Sequence, residues 1–192
     1  PQAISHILAN PDQYDKTRIG INRLNDMVGP GLITHAHPAW QQAKQRLHGA
    51  LHPNKCTALP QKFHLITQQH LNRWCEPGPL VASDITPLCL ALAFELNVYA
   101  LTGMAFNGDS MAYIQTITKA IAAGTKAWSL KAGSLSLRRL RFEQLAKPLH
   151  QWADRWIDDM IDQQNPDALL SPLVQCYHAG NIDRHALNSE FK

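Results

Sequence analysis

Cysteine is scarce in this chain and widely spread. Cys56, Cys75, Cys89 and Cys176 stand 19, 14 and 87 residues apart, with no Cys-x-x-Cys among them. That spacing is neither a zinc-ligand set nor a dense disulfide framework, so reduced, buried thiols in a cytoplasmic protein are expected. Charge is scarce as well. Only 17% of residues are charged, against about a quarter in an ordinary globular protein, which points to surface buried inside a large fold or against a partner. The net charge of +3 is too small to argue for nucleic acid, whose binders concentrate their charge. Alternating strand patterns are missing, as are internal repeats. Long apolar runs are missing too: the most apolar segment, Ile85 to Met104, is interrupted by Pro87, Glu95, Asn97 and Thr102. It therefore reads as a buried helix and not as a membrane span. No basic segment leads into an apolar stretch at the start, so no signal peptide is expected.

What is present is helical periodicity in a chain long enough, at 192 residues, for one all-α domain over 1–192 with a real core. A short helix is expected from Gln2 to Ala9, ending at Asn10-Pro11. Asp12 to Gly31 reads as irregular, with one helical turn around Asn22 to Met27. Pro38 opens a helix in its first turn, which closes at His52-Pro53. Others are expected over Pro60 to Trp74, Ile85 to Leu101 (capped by Ser83 or Asp84) and Asp109 to Ala123. The second of these three is apolar nearly all round and should lie centrally. Gly124 to Ser136, rich in Gly, Ser, Lys and Ala, reads as a mobile connection. The longest helix spans Leu137 to Gln163, with Leu145, Leu149, Trp152, Trp156 and Met160 in one stripe and a kink at Pro148. Asn165-Pro166-Asp167 starts a short helix to Tyr177, and Asp183 caps a last one.

The segment with most chemistry is Gly31 to Leu47: a glycine turn, an apolar pair, a polar loop and a helix carrying Trp40 and Lys44. Residues at i and i+4 share a helix face, so an indole N–H and an ammonium point the same way. Two such donors suit a carboxylate. This order of parts resembles the helix C region of the haem-thiolate monooxygenases, the cytochrome P450 superfamily. There a helical Trp and a cation one turn later hold a haem propionate.

The resemblance continues in order along the chain. Ala3 to Tyr14 resembles the segment around helix B. Ile85 to Gly103, followed by Met104-Ala105-Phe106, resembles helix E and the turn after it. Leu140 to Gln163 resembles helix G, Asp167-Ala168-Leu169-Leu170 the start of helix H, and Asp183 to Lys192 the opening of helix I. None of the four cysteines lies in the family's Phe-x-x-Gly-x-x-x-Cys-x-Gly loop, and its Ala-Gly-x-x-Thr and Glu-x-x-Arg elements are absent. The resemblance thus implies a partial fold, helices B to H, without the C-terminal haem-ligand half.

The same resemblance implies a function. Trp40, Lys44 and His37 would contact the propionate side of haem b, with the axial Cys outside this chain. Lys44 stands where the family usually has Arg, and neutralises a propionate as a point charge without gripping it bidentately. The loop from about Lys16 to Ile33 and the connection from about Ile121 to Leu140 would shape the substrate site, through Leu24, Met27, Leu32, Ala123 and Trp128. The implied reaction inserts one oxygen atom from O2 into an apolar small molecule. Its electrons would come from a ferredoxin- or flavodoxin-type partner, steered by Lys44, Arg46, Lys55 and Lys62. A C-terminal half would complete the enzyme.

Blander readings stand beside these. Trp40 and Lys44 also fit a core Trp beside a solvated Lys, and the four cations a solvated basic face. His35 and His37 lack further ligands at close spacing for a metal. Lys126, Lys131, Arg138, Arg139 and Arg141 near Trp128 have a nucleic-acid look, but no nucleic-acid motif accompanies them, so nucleic acid is not expected as a partner. Glu143, Asp154, Asp158, Asp159 and Asp162 read as solubilising charge. The rival to an oxygenase is a helical interaction or ligand-binding module without catalysis.

Overall fold

The structure is a computed structural model that describes residues 2–10, 13–14, 25, 29–48, 57, 59–75, 84–129 and 137–191, apart from the side chains of 127–129 and 191. Within these residues it is all-helical. The helices are α1 (Gln2–Ala9), α2 (Ala39–His48), α3 (Leu59–Trp74), α4 (Thr86–Thr102), α5 (Ser110–Ser129), α6 (Leu137–Gln163), α7 (Ser171–His178) and α8 (Arg184–Phe191).

The longest helix, α6, is the spine. Its N-terminal part lies antiparallel to α5: Tyr113 stacks on Trp152 at 4.1 Å between ring centroids, while Ile117 and Ala120 share a cavity with Ala146 and Leu149 nearer the hairpin end. Its C-terminal part meets α7 and α8, where Ile157, Met160, Leu170, Leu173, Val174 and Leu187 form the densest core. Leu47 of α2 and Met104 pack onto that cluster. Pro148 is carried inside α6 without ending it.

Start and stop signals work as their chemistry dictates. The Asp84 carboxylate accepts from the Thr86 N–H at 2.9 Å, and those Thr86 hydrogen bonds, side chain first and backbone second, hold its pKa below the usual value. Asp109 accepts from the N–H groups of Met111 and Ala112, and Asp183 from that of Ala186 at 2.7 Å; these two are N-terminal caps, whereas Asp84 lies one residue before the N-cap Ile85, which has no side-chain cap of its own. Gly103 ends α4 at φ 70°, and a Cβ there would collide with the Asn165 amide. The last carbonyls of α4 need partners. Leu169 and Leu170 supply them, donating to Ala100 at 2.9 Å and Leu101 at 3.1 Å.

Three expectations are corrected. The helix placed over Asp109 to Ala123 runs on to Ser129, taking in the first part of the supposed mobile connection. Gly124 is buried within it: one glycine costs a helix about 1 kcal/mol, and packing on α6 outweighs that. The segment 130–136 lies outside the described residues. The helix α4 is not central. Only Val98, Ala100 and Thr102 are buried, and Leu88, Leu90 and Leu101 are exposed, because α4 packs on α3 and α5 and the remaining face has no cover among the described residues. Finally, Asp154 and Asp158 are more than solubilising charge. Asp158 pairs with Arg184 at 2.7 Å and Asp154 accepts from Asn188 at 3.3 Å, so both seat α8 on α6.

Candidate functional site

The loop leading into α2 is built around one hydroxyl. Thr34, itself buried, accepts from the Gly31 N–H at 2.9 Å and donates to the Gly29 carbonyl at 2.9 Å. This ties 29–34 into a fixed turn. Gly31 meets α8 so closely that a Cβ would lie 2.7 Å from the Ser189 carbonyl oxygen. The loop and the start of α2 are thereby set against the last helix.

On α2, Trp40 is half-buried and Lys44 exposed, with the Lys44 Nζ 4.9 Å from the centroid of the Trp40 ring. The shared face expected from their spacing is present, and the ammonium engages the indole as a cation–π pair. His37 is used differently: its Nε2 is 3.0 Å from Gln41 Oε1. Trp40 and Lys44 offer a hydrogen-bond donor and a cation, a set whose chemistry fits a carboxylate.

Arg46 points away from this face, as its place on the helix requires. It donates to Glu190 at 2.7 Å, and the Glu190 side chain is only 1% exposed. His35 Nε2 lies 3.8 Å from the same carboxylate oxygen. The two histidines thus have separate neighbours, and no group of three potential metal ligands exists among the described residues. Of the four steering cations, Arg46 is engaged by Glu190, Lys44 and Lys62 are exposed, and Lys55 lies outside the described residues.

Of the residues expected to line a substrate site, Leu32 and Ala123 are described. Leu32 sits half-buried in the turn before α2, and Ala123 half-buried on α5. Those elements have different neighbours, α2 packing on α7 and α5 on α4 and α6. Leu24, Met27 and the Trp128 side chain lie outside what is described. The thiols expected to be buried are not: Cys75 and Cys89 are exposed and Cys176 is half-buried within α7, while Cys56 lies outside the described residues.

Two constellations escaped the sequence. Phe94, Phe106, Tyr113, Trp152 and Trp156 form a continuous aromatic cluster, with Phe94 and Phe106 edge-to-face at 4.9 Å and Tyr113 and Trp156 5.4 Å apart. Phe106, Tyr113, Trp152 and Trp156 wall a cavity of about 610 Å³, with Arg155, Asp159 and Asp109 at its polar side. Burial pushes the Tyr113 phenol up to about 12. The Trp152 and Trp156 spacing was legible; their aromatic partners on α4, on α5 and in the turn between them were not.

The second constellation links α3, α4 and α5. Glu95 receives the Ser110 hydroxyl at 2.5 Å and His70 Nε2 at 2.9 Å. Serine, histidine and carboxylate suggest a hydrolase only when histidine bonds the hydroxyl and the carboxylate stands behind it. Here the carboxylate stands between them, so the imidazole does not activate the serine. The trio is a buried polar tie.

Compared with family models, curated proteins and solved structures, the chain matches none.

Proposed function

We propose that this chain forms the propionate-side and substrate-recognition portion of a haem-thiolate monooxygenase. The observation that carries the reading is the pairing of Trp40 and Lys44, 4.9 Å from ring centroid to Nζ, on a helix whose other side is clamped to α8 through Arg46 and Glu190. When bound, haem would supply insertion of one oxygen atom from O2 into an apolar substrate. The Trp40 indole would donate to a propionate, and Lys44 would neutralise it. The Thr34 turn and the Arg46–Glu190 pair would hold those two residues in place. The axial thiolate would come from residues outside these 192, and electrons from a ferredoxin- or flavodoxin-type protein.

The test has two parts. The chain given hemin should develop no ferrous–CO band of thiolate ligation; such a band would mean that one of its own cysteines is axial. In an assembly that carries the axial cysteine, Trp40→Phe removes one hydrogen bond to a charged acceptor and should weaken haem retention by about 1.5–3 kcal/mol. Lys44→Arg should retain haem or tighten it. Unchanged haem occupancy and Tm in Trp40→Phe would sink the reading.

A second reading, a helical ligand-binding module without catalysis, is favoured by the aromatic-walled cavity of about 610 Å³ contained entirely in this chain. That volume lies within the range of small-molecule sites, about 300–1,000 Å³. A thiolate-type Soret band in the complete assembly separates the two readings.

A further inference from the structure

The hairpin of α5 and α6 is electrically polarised. From Ser110 to Phe142 there is no Asp or Glu, while Lys119, Lys126, Lys131, Arg138, Arg139 and Arg141 fall within that stretch. The opposite end of α6 carries Asp154, Asp158, Asp159 and Asp162. In a chain whose net charge is only +3, this is segregation and not an excess of base.

At the basic end the two helices enclose a cleft of about 460 Å³, lined by Lys119, Ala122, Ala123, Lys126, Arg138, Arg141 and Leu145. Helical register explains the arrangement. Lys119, Ala122, Ala123 and Lys126 fall at i, i+3, i+4 and i+7, one stripe of α5. Arg138, Arg141 and Leu145 fall at i, i+3 and i+7, one stripe of α6. Packing the helices antiparallel brings the stripes face to face, with four cations at the rim and small aliphatic side chains between them. Among the described residues no carboxylate lines the cleft. The nearest in sequence, Glu143, bonds Arg139 at 3.0 Å, and neither residue lines it.

We propose that this cleft binds a small organic molecule bearing two or more linked phosphates, of the nucleoside diphosphate class. Like charges gathered in one concavity focus a positive field and raise the local concentration of anions. Guanidinium groups at Arg138 and Arg141 suit phosphate oxygens bidentately, and the lysines add point charge. Lys119 and Lys126 are seven residues apart, so their backbone positions are separated by about 10 Å along α5. Four cations spread along two helix stripes exceed the charge of one phosphate and match a linked pair with its organic body. Ala122 and Ala123 have almost no side chain, which lets a flat organic group approach the α5 backbone, with Leu145 opposite. The cleft is short and bounded by two helices, which favours a small molecule over a polymer. This site is independent of the haem reading.

The test is calorimetric titration of the 192-residue chain at about 50 mM salt, a regime in which exposed charges are weakly screened. Adenosine diphosphate should bind, pyrophosphate at least about ten-fold more weakly, and adenosine undetectably. Raising salt to about 200 mM should weaken adenosine diphosphate binding several-fold, because salt screens the attraction between the exposed cations and the phosphates. Lys119→Gln with Arg141→Gln should weaken it at least about ten-fold with unchanged far-UV circular dichroism. Arg155→Gln, at the acidic end and facing the aromatic cavity, should leave it unchanged. The proposal is overturned if adenosine diphosphate does not bind, if pyrophosphate binds as well, or if Arg155→Gln and not the cleft variant abolishes binding. Tighter binding to a single-stranded DNA oligomer, or binding only to vesicles of phosphatidylcholine with phosphatidylserine, would overturn it as well.

Discussion

Single atoms at the junction of the turn, α2 and α8 decide how closely that turn approaches the last described helix. Gly31 has no side chain because the Ser189 carbonyl occupies the place where one would begin, 2.7 Å from a Cβ. Gly31→Ala is therefore expected to push the turn off α8 and destabilise the protein by about 1–3 kcal/mol, read as a lower urea midpoint at unchanged slope. Tyr113 gives a second residue-scale test. Its folded pKa, raised by burial to about 12, lies above the unfolded value near 10. The neutral phenol is thus the form favoured by folding. The stability it contributes is fully present below about pH 10 and is lost as pH rises toward 12. Alkaline absorbance titration should show a component near pH 12 that Tyr113→Phe lacks, and Tyr113→Phe should lose less stability than the parent over that window.

At the scale of elements, buried polar ties join helices that sequence spacing does not relate. Arg46 on α2 and Glu190 on α8 are 144 residues apart, and the Glu190 side chain is 1% exposed while that of Arg46 is 27% exposed. Arg46→Ala would leave the buried carboxylate without its cation, and a loss of about 2–4 kcal/mol is expected. Arg46→Met with Glu190→Leu should recover most of it, so a double-mutant cycle measured by denaturation gives a coupling of the same sign. Additive losses would show that the two side chains do not act together. Pro148 interrupts α6 by removing the N–H that would bond the Gln144 carbonyl. Since an interior proline costs about 3 kcal/mol, Pro148→Ala should stabilise the protein by about 1–3 kcal/mol. An unchanged Tm would mean that packing along α6 already compensates.

For the whole molecule, α6 settles how the helices cooperate. It touches α5 over its first part and α7 and α8 over its last, so neither end can melt without exposing the other's core. Urea unfolding followed by tryptophan fluorescence and by far-UV circular dichroism should give coincident curves. Separate midpoints would show two units divided within α6. The exposed leucines of α4 and the charge polarity of the hairpin also belong to this scale. The polarity is already written in the sequence from Ser110 to Phe142, whereas the exposure of the leucines depends on which neighbours α4 meets.

What the sequence determined by itself is local. The 3.6-residue period marked the helices, including Leu137 to Gln163 to the residue, because the apolar repeat and its flanking breakers are written in consecutive positions. The cap at Asp183 was legible for the same reason, and so was the common face of Trp40 and Lys44. Tertiary structure alone decided which helix faces which. It sent Arg46 and His35 to Glu190, placed Glu95 between His70 and Ser110, carried α5 through Gly124 to Ser129, and left α4 at the surface. It also brought Ala123 beside Lys119, Lys126, Arg138 and Arg141 in one basic cleft. The physical reason is that propensity and capping act over a few residues. Pairing of buried charges and of helix stripes depends on distances that exist only once the chain has closed on itself.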